Sequence, residues 1–163
     1  MISAIRHVEI ALGSDAQLFV VGGAVRDKIL GRDVTDWDLA TNIMPTEVMD
    51  RAKLYGLKVV PTGLRHGTVT LFVGCNAIEI TTFRGDGTYL DGRHPKNVAF
   101  GVSLEQDLSR RDFTINAMAL PVSALENSDW KTLIIDPYGG LRDIDRRIIR
   151  TVGDPLVRFL CAR

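Results

Sequence analysis

Cysteine is scarce: Cys75 and Cys161 are the only two in 163 residues, far apart and without a C-x-x-C pair. That excludes a disulfide framework or zinc knuckle as the organising device, and reduced thiols fit a cytosolic setting. Long apolar runs are also missing. No segment approaches the roughly 20 apolar residues that span a bilayer, and the start "MISAIRHVEIALGSD" lacks the continuous apolar stretch of a signal peptide. A cytoplasmic protein with no membrane partner is therefore expected. Net charge is absent too, since 20 basic residues cancel 20 acidic ones, so no global attraction to nucleic acid follows. Repeats, low-complexity tracts and Gly/Ser linkers are missing as well. What is present is a 45% hydrophobic chain of one-domain length, able to bury one sizeable core.

Positive charge is concentrated locally, in Arg110-Arg111 and in Arg142, Arg146, Arg147 and Arg150, with a solvated helix face as the plain reading. Ile2, Ile5, Val8 and Leu12 recur at helical spacing and predict a helix over 2–12. "LFVV" reads as a buried strand broken by Gly22-Gly23, "AVRDKILG" as a helix ended by Gly31, and "TDWDLA" as an alternating strand. Beyond Pro45, "TEVMDRAKLYG" predicts a helix with Thr46 as N-cap and an apolar face at Val48, Ala52 and Tyr55. "LKVVPT" is a further strand, and "TVTLFV" with "AIEITTF" around "GCN" predicts a hairpin. Residues 85–97 read as a long exposed loop, and a helix is expected from Ser103 to Met118. Strands around Leu120 and "TLIID" and Arg-rich helical segments complete the chain.

Asp36 and Asp38 carry the first chemical signal. On one strand, alternate residues share a face with Cα atoms roughly 6.6 Å apart, and two carboxylates about 5 Å apart repel by roughly 3 kcal/mol at a dielectric near 20. Solvent exposure or a bound divalent ion relieves that repulsion. Magnesium suits an open pair of hard oxygen donors, while Trp37 and Leu39 can face a core. An isolated D-x-D also forms turns and caps. Glu79 alternates with Ile78 and Ile80, and is either a solvated outward residue or a third carboxylate at the metal.

Gly22-Gly23 lies between a strand and a helix, where bare backbone N–H groups favour phosphate, with Arg26 in the first helical turn. The pair is neither a G-x-G-x-x-G fingerprint nor a P-loop, and by itself a Gly pair is more often a plain tight turn. In "DLSRRDFTINAMAL", Leu104, Leu108, Ile115 and Ala119 form an apolar stripe. Ser109, Asp112 and Asn116 follow at i, i+3 and i+7 as a polar one. Asp112 and Asn116 can bond sugar hydroxyls and Arg111 can grip phosphate or a base edge; a hydrated helix face is the plain alternative.

Together "VVGGAVRDKILGRDVTDWDLAT", "EITTFR", "DGRHP", "LSRRDFTINAMAL" and "DPYGGLRDIDRRIIRTVGDP" closely resemble the class II nucleotidyltransferases. These comprise the bacterial-type CCA-adding tRNA nucleotidyltransferases and related bacterial poly(A) polymerases. The resemblance implies an α/β (α+β) polymerase-β-like head with an about five-stranded mixed sheet flanked by helices. It implies Mg²⁺-dependent nucleotidyl transfer from CTP or ATP to the 3′ end of tRNA or another RNA. Asp36 and Asp38 would be catalytic and bind two Mg²⁺ ions, with Glu79 as a further acidic position. Gly22, Gly23 and Arg26 would meet the triphosphate; Arg111, Asp112 and Asn116 would recognise ribose and nucleotide. Asp91, Gly92, Arg93 and His94 would form a mobile loop that helps switch nucleotides.

The resemblance breaks at the C-terminus, where "VGDPLVRF" continues only as "LCAR". Cys161 and Ala162 stand where the family's neck begins its E-D-x-x-R motif. Residues 1–150 are thus expected to be the catalytic head and 151–163 a shortened neck, with base selection weakened or supplied by a C-terminal partner chain or self-association. A poly(A) polymerase-type head, or a non-catalytic remnant that binds nucleotide or a partner, are the alternatives.

Overall fold

A computed structural model describes residues 1–85 and 99–156. The first helix, α1 (Ile2–Leu12), buries Ile5, Val8 and Leu12, as their spacing predicts. Strand β1 (Leu18–Val21) runs into Gly22, whose φ of 70° and ψ of −136° suit a residue without Cβ, and α2 (Gly23–Ile29) follows directly. Strand β2 covers only Asp38–Thr41, shorter than predicted. Its ladder begins where Asp38 meets Glu79 and Leu39 meets Val20. Before that the chain bonds locally, with the Trp37 indole N–H donating to the Val34 carbonyl and Thr35 Oγ1 to Asp36 Oδ2.

Helix α3 (Pro45–Leu54) starts one residue before the expected Thr46 cap, with Met44 at the N-cap. Pro45 takes the first helical position because its fixed φ is helical and its missing N–H would have no partner there. Val48 and Ala52 are buried as expected, whereas Tyr55 lies past the helix end and is exposed. From α3, Arg51 reaches the Leu12 carbonyl and pairs with Asp15 at 2.7 Å, joining the ends of the two helices. Strand β3 (Lys58–Gly63) then leads into the predicted hairpin of β4 (Thr68–Val73) and β5 (Asn76–Thr82), turned on Gly74 at φ 61° and Cys75.

These strands with β8 (Ala119–Pro121) form a six-stranded sheet in the order β3-β4-β5-β2-β1-β8, in which β2 and β5 alone are parallel. One row of register partners, Val69, Ile80, Leu39, Val20 and Leu120, crosses five strands and is at most 1% exposed. It forms the main core with α1 and α3. The adjacent row on the opposite face reads Thr70, Glu79 and Asp38. That face is only partly covered, by a second cluster of Val21, Ala40, Phe83, Leu108 and Ala119. The short ribbon of β6 (Arg84–Gly85) with β7 (Ala99–Phe100) and helix α4 (Leu104–Ser109) lie at its edge.

The predicted helix over 103–118 is overturned. A capping box between Ser103 and Gln106 starts α4, but the helix stops at Ser109. The backbone then finds partners far along the chain: Thr114 N donates to Arg150 O, and Val152 N donates to Asp112 O. Thr114–Asn116 is a single 3-10 turn. Thr114 Oγ1 donates to the buried Asp143 at 2.6 Å, and Arg150 completes that carboxylate at 2.7 Å. Asp143 belongs to α5 (Gly140–Arg146), whose first N–H groups are capped by Asp136. A Cβ on Gly140 would lie 2.3 Å from the Thr114 carbonyl oxygen, so this approach requires glycine. The strand expected near Leu120 exists as β8, but "TLIID" forms none: Trp130–Leu133 is a 3-10 turn and Ile135 alone bridges to Ala119. Of the long loop read over 85–97, Gly85 belongs to β6 and the rest lies outside the described residues, including Asp91, Gly92, Arg93 and His94, as do Cys161 and Ala162.

Candidate functional site

A cavity of about 450 Å³ opens on the polar face of the sheet. Its floor is built from the β1–α2 turn, Gly22 and Gly23, and from Asp38 and Glu79 on the parallel strands β2 and β5. Its far wall brings Arg111, Asp112 and Asn116 together, not as the predicted helical stripe but through the extended bend and 3-10 turn after α4. Ser109, the third member of that stripe, bonds the Gln106 carbonyl and faces a separate shallow groove.

The expected carboxylate geometry changes as well. Asp36 precedes β2, is exposed, and lies outside the cavity lining, so it and Asp38 do not alternate along one strand. The residue beside Asp38 is Glu79, its register partner. Although Asp38 is exposed at the strand end, desolvation at the cavity floor holds its carboxyl above the usual carboxylate range. The positive charge of Arg111 opposes this rise and the negative charge of Asp36 reinforces it. Asp36 is therefore felt electrostatically at the site although its side chain is solvated. No group of three His, Cys, Asp or Glu side chains gathers at metal-binding spacing among the described residues. The donor set nonetheless consists of hard oxygens open to a cavity, which fits magnesium better than a softer metal.

Arg26 is engaged rather than free. Its guanidinium grips both oxygens of Asp27 at 2.9 and 3.0 Å and donates to Asn116 Oδ1 at 2.8 Å, so it orients a wall residue and is not itself part of the lining. Arg111 packs over the glycine turn, its Nη1 lying 2.8 Å from where a Cβ on Gly22 would stand. Burial lowers the Arg111 pKa; Asp107 offsets this and Arg110 adds to it. Its Nε is buried without a hydrogen-bond partner. A desolvated guanidinium with an unused donor is a strong attractor for an anion.

The cavity also contains Thr68, Thr81 and Arg84, which sequence reasoning did not single out, and Arg110, which it noted only as local positive charge. Thr81 was legible as the outward neighbour of Glu79 in a period-two strand. Arg84 and Arg110 stood inside quoted motifs, without a signal that they converge. Three arginines and a bare glycine turn facing three carboxylates, Asp38, Glu79 and Asp112, around a pocket of this size suit a nucleotide-sized ligand that carries phosphates and a cation.

Mixed sheet, glycine turn and arginine-lined cavity together make an α/β head with a polar, phosphate-suited site. The chain belongs to the poly A polymerase head domain family, whose pattern matches residues 18–150. It is 47% identical over 143 residues to the CCA-adding enzyme of Geobacillus thermodenitrificans (strain NG80-2), covering 88% of this chain and 32% of that protein. It is 48% identical over 147 residues to the CCA-adding enzyme of Geobacillus stearothermophilus, covering 90% and 33%. Among solved structures, the Bacillus stearothermophilus CCA-adding enzyme in complex with CTP matches with a TM-score of 0.74 and 40% identity over 97% of this chain and 34% of that one. A tRNA nucleotidyltransferase complexed with a primer tRNA and an incoming ATP analog matches with a TM-score of 0.65 and 35% identity, over 90% and 38%. The chain thus spans about a third of the length of the relatives it matches. No helix among the described residues is long and apolar enough to cross a membrane.

Proposed function

We propose that this head domain transfers a nucleotidyl group from CTP or ATP to the 3′ end of RNA, with tRNA CCA addition as the reaction. The observation that carries the reading is the meeting of Asp38, Glu79 and Arg111 across one cavity floored by Gly22 and Gly23. The names of the relatives, and the CTP, primer tRNA and ATP analog in their structures, support the choice of substrates. In the transfer the RNA 3′-hydroxyl oxygen bonds to the α-phosphorus, the bond to the β-phosphate oxygen breaks, and pyrophosphate leaves. Arg111, with Arg84 and Arg110, neutralises the triphosphate and the charge that builds on the leaving group. The glycine turn lets backbone N–H groups approach the phosphates. Asp112 and Asn116, the latter steadied by Arg26, bond the ribose and base edge.

Asp36 and Asp38 would hold Mg²⁺, with Glu79 alongside, and a metal held there would supply Lewis-acid polarisation of the phosphate oxygens and the attacking hydroxyl. Residues 1–150 act as the catalytic head, and residues 151–163 lead toward a neck that would choose the base. A cytoplasmic location goes with this role.

The test is gel-based extension of tRNA lacking its CCA end, with Mg²⁺ and each labelled NTP separately. The 163-residue chain should add nucleotides, and Asp38→Ala should lower addition about 1,000-fold or more, as loss of a group that organises transition-state charge does. Equal addition by the variant defeats the assignment. A long adenosine tail in place of a short defined end turns the reading to a poly(A) polymerase.

A further inference from the structure

Asp107 is 1% exposed and lies on α4 beside the buried Leu108, behind the cavity wall rather than in it. Its Oδ1 accepts the Arg84 backbone N–H at 3.1 Å and Arg110 Nε at 3.5 Å, and its Oδ2 accepts Arg111 Nη2 at 3.4 Å. All three partners belong to residues that line the cavity. A buried carboxylate kept only for the fold needs close, saturated pairing to offset its desolvation. Charge-assisted bonds of that kind run near 2.7–2.9 Å. Asp107 instead spreads its charge over two guanidinium contacts of 3.5 and 3.4 Å beside the Arg84 backbone bond.

This arrangement has a consequence for Arg111. Arg110 and Arg111 are adjacent like charges in a partly desolvated wall, and the Asp107 charge offsets both burial and mutual repulsion. Because the Asp107 contact uses one terminal nitrogen, Arg111 keeps Nη1 over the Gly22 turn and Nε without a partner. The Arg84 bond also fixes the start of the β6–β7 ribbon relative to that wall.

We infer that Asp107 is a positioning residue for the triphosphate: by holding Arg111 through Nη2 it aims that guanidinium at the cavity, with Nη1 over the Gly22 turn. It touches no substrate. The inference rests on the nucleotide-binding reading of the same cavity. It predicts that loss of the Asp107 charge weakens binding of the triphosphate and leaves the chemical step nearly untouched.

The experiment titrates CTP and ATP into the full chain without RNA, by calorimetry, for wild type and Asp107→Asn, with folded fraction followed by circular dichroism. Asp107→Asn should raise Kd for both nucleotides about ten-fold, the scale of one charge-assisted bond. In extension assays it should raise KM similarly with kcat held within about three-fold. A Kd and KM equal to wild type in the folded variant overturn the inference, as does a loss of activity that only tracks the folded fraction. If Asp107→Asn does not fold, wild-type protein decides by the ¹⁵N resonance of Arg111 Nε–H. It should shift on saturation with a non-hydrolysable CTP analogue, and an unmoved resonance overturns the inference. Wild type that binds no triphosphate sinks the nucleotide reading together with this one, whereas binding that Asp107→Asn leaves unchanged sinks this one alone.

Discussion

On the two faces of the central sheet, neighbouring residues of the same strands do opposite work. Leu39 and Ile80 point into a core where each is 1% exposed, while Asp38 and Glu79, one position earlier on each strand, point into the cavity. Period-two alternation makes this possible: the row that fixes the strands holds the row that carries the charges. The packed face tolerates no polar atom without a partner. The open face keeps Asp38 above the usual carboxylate range and leaves Arg111 Nε unpaired. Stability and chemistry are thus separated by half a pleat rather than by distance along the chain.

The largest effect that sharpens this contrast is Leu39→Ala. Removing a fully packed side chain should cost about 2–5 kcal/mol of unfolding free energy, read by urea denaturation, while transfer per folded molecule stays near wild type. A loss of turnover without a loss of stability breaks the division of labour. The next effect concerns the buried polar groups of the cavity side. Asp143, tied to Thr114 and Arg150 at 2.6 and 2.7 Å, has the close bonding that Asp107 lacks. Asp143→Ala should cost about 1–3 kcal/mol by stranding the Thr114 hydroxyl, with nucleotide Kd nearly unchanged in the folded fraction. A selective rise in Kd places Asp143 with Asp107 instead.

The smallest effect has the opposite sign. A raised pKa means that the folded protein holds the Asp38 proton more tightly than the unfolded chain does, so ionised Asp38 weighs against folding. Its favourable contribution is complete below the ordinary value of 3.8 and is lost as pH rises through the shifted value. Asp38→Asn should therefore raise Tm slightly at neutral pH, lose that advantage under acid conditions, and transfer no nucleotide. A lower Tm at neutral pH contradicts a site strained for function.

Local features were legible in the sequence because local physics decides them. The Ile5, Val8 and Leu12 spacing gave α1 its bounds, and Gly74-Cys75 between β-branched runs gave the hairpin. The apolar stripe after Ser103 continued past Ser109, yet the helix did not, because residues 112–114 bond to residues 150–152. No window of neighbouring residues contains that pairing. The same holds for Asp38 and Glu79, whose adjacency depends on strand order. Asp107 did leave a signal, an acid placed three and four residues before two arginines, which a reading centred on "RRD" passes over.

One connection sets when the site comes into being. The β3–β4–β5 meander and the β1–α2–β2 unit each close through neighbouring elements, but the parallel pairing of β2 with β5 must wait for the intervening α3 and β3–β4 crossover to be laid down. Closing so long a segment carries an entropic cost before any of its contacts form. Asp38 therefore meets Glu79 only in a chain whose two halves have already docked. The proposed nucleotide binding at this site would then be a report on completed folding, since a half-folded chain presents glycine turn or hairpin but not the cavity.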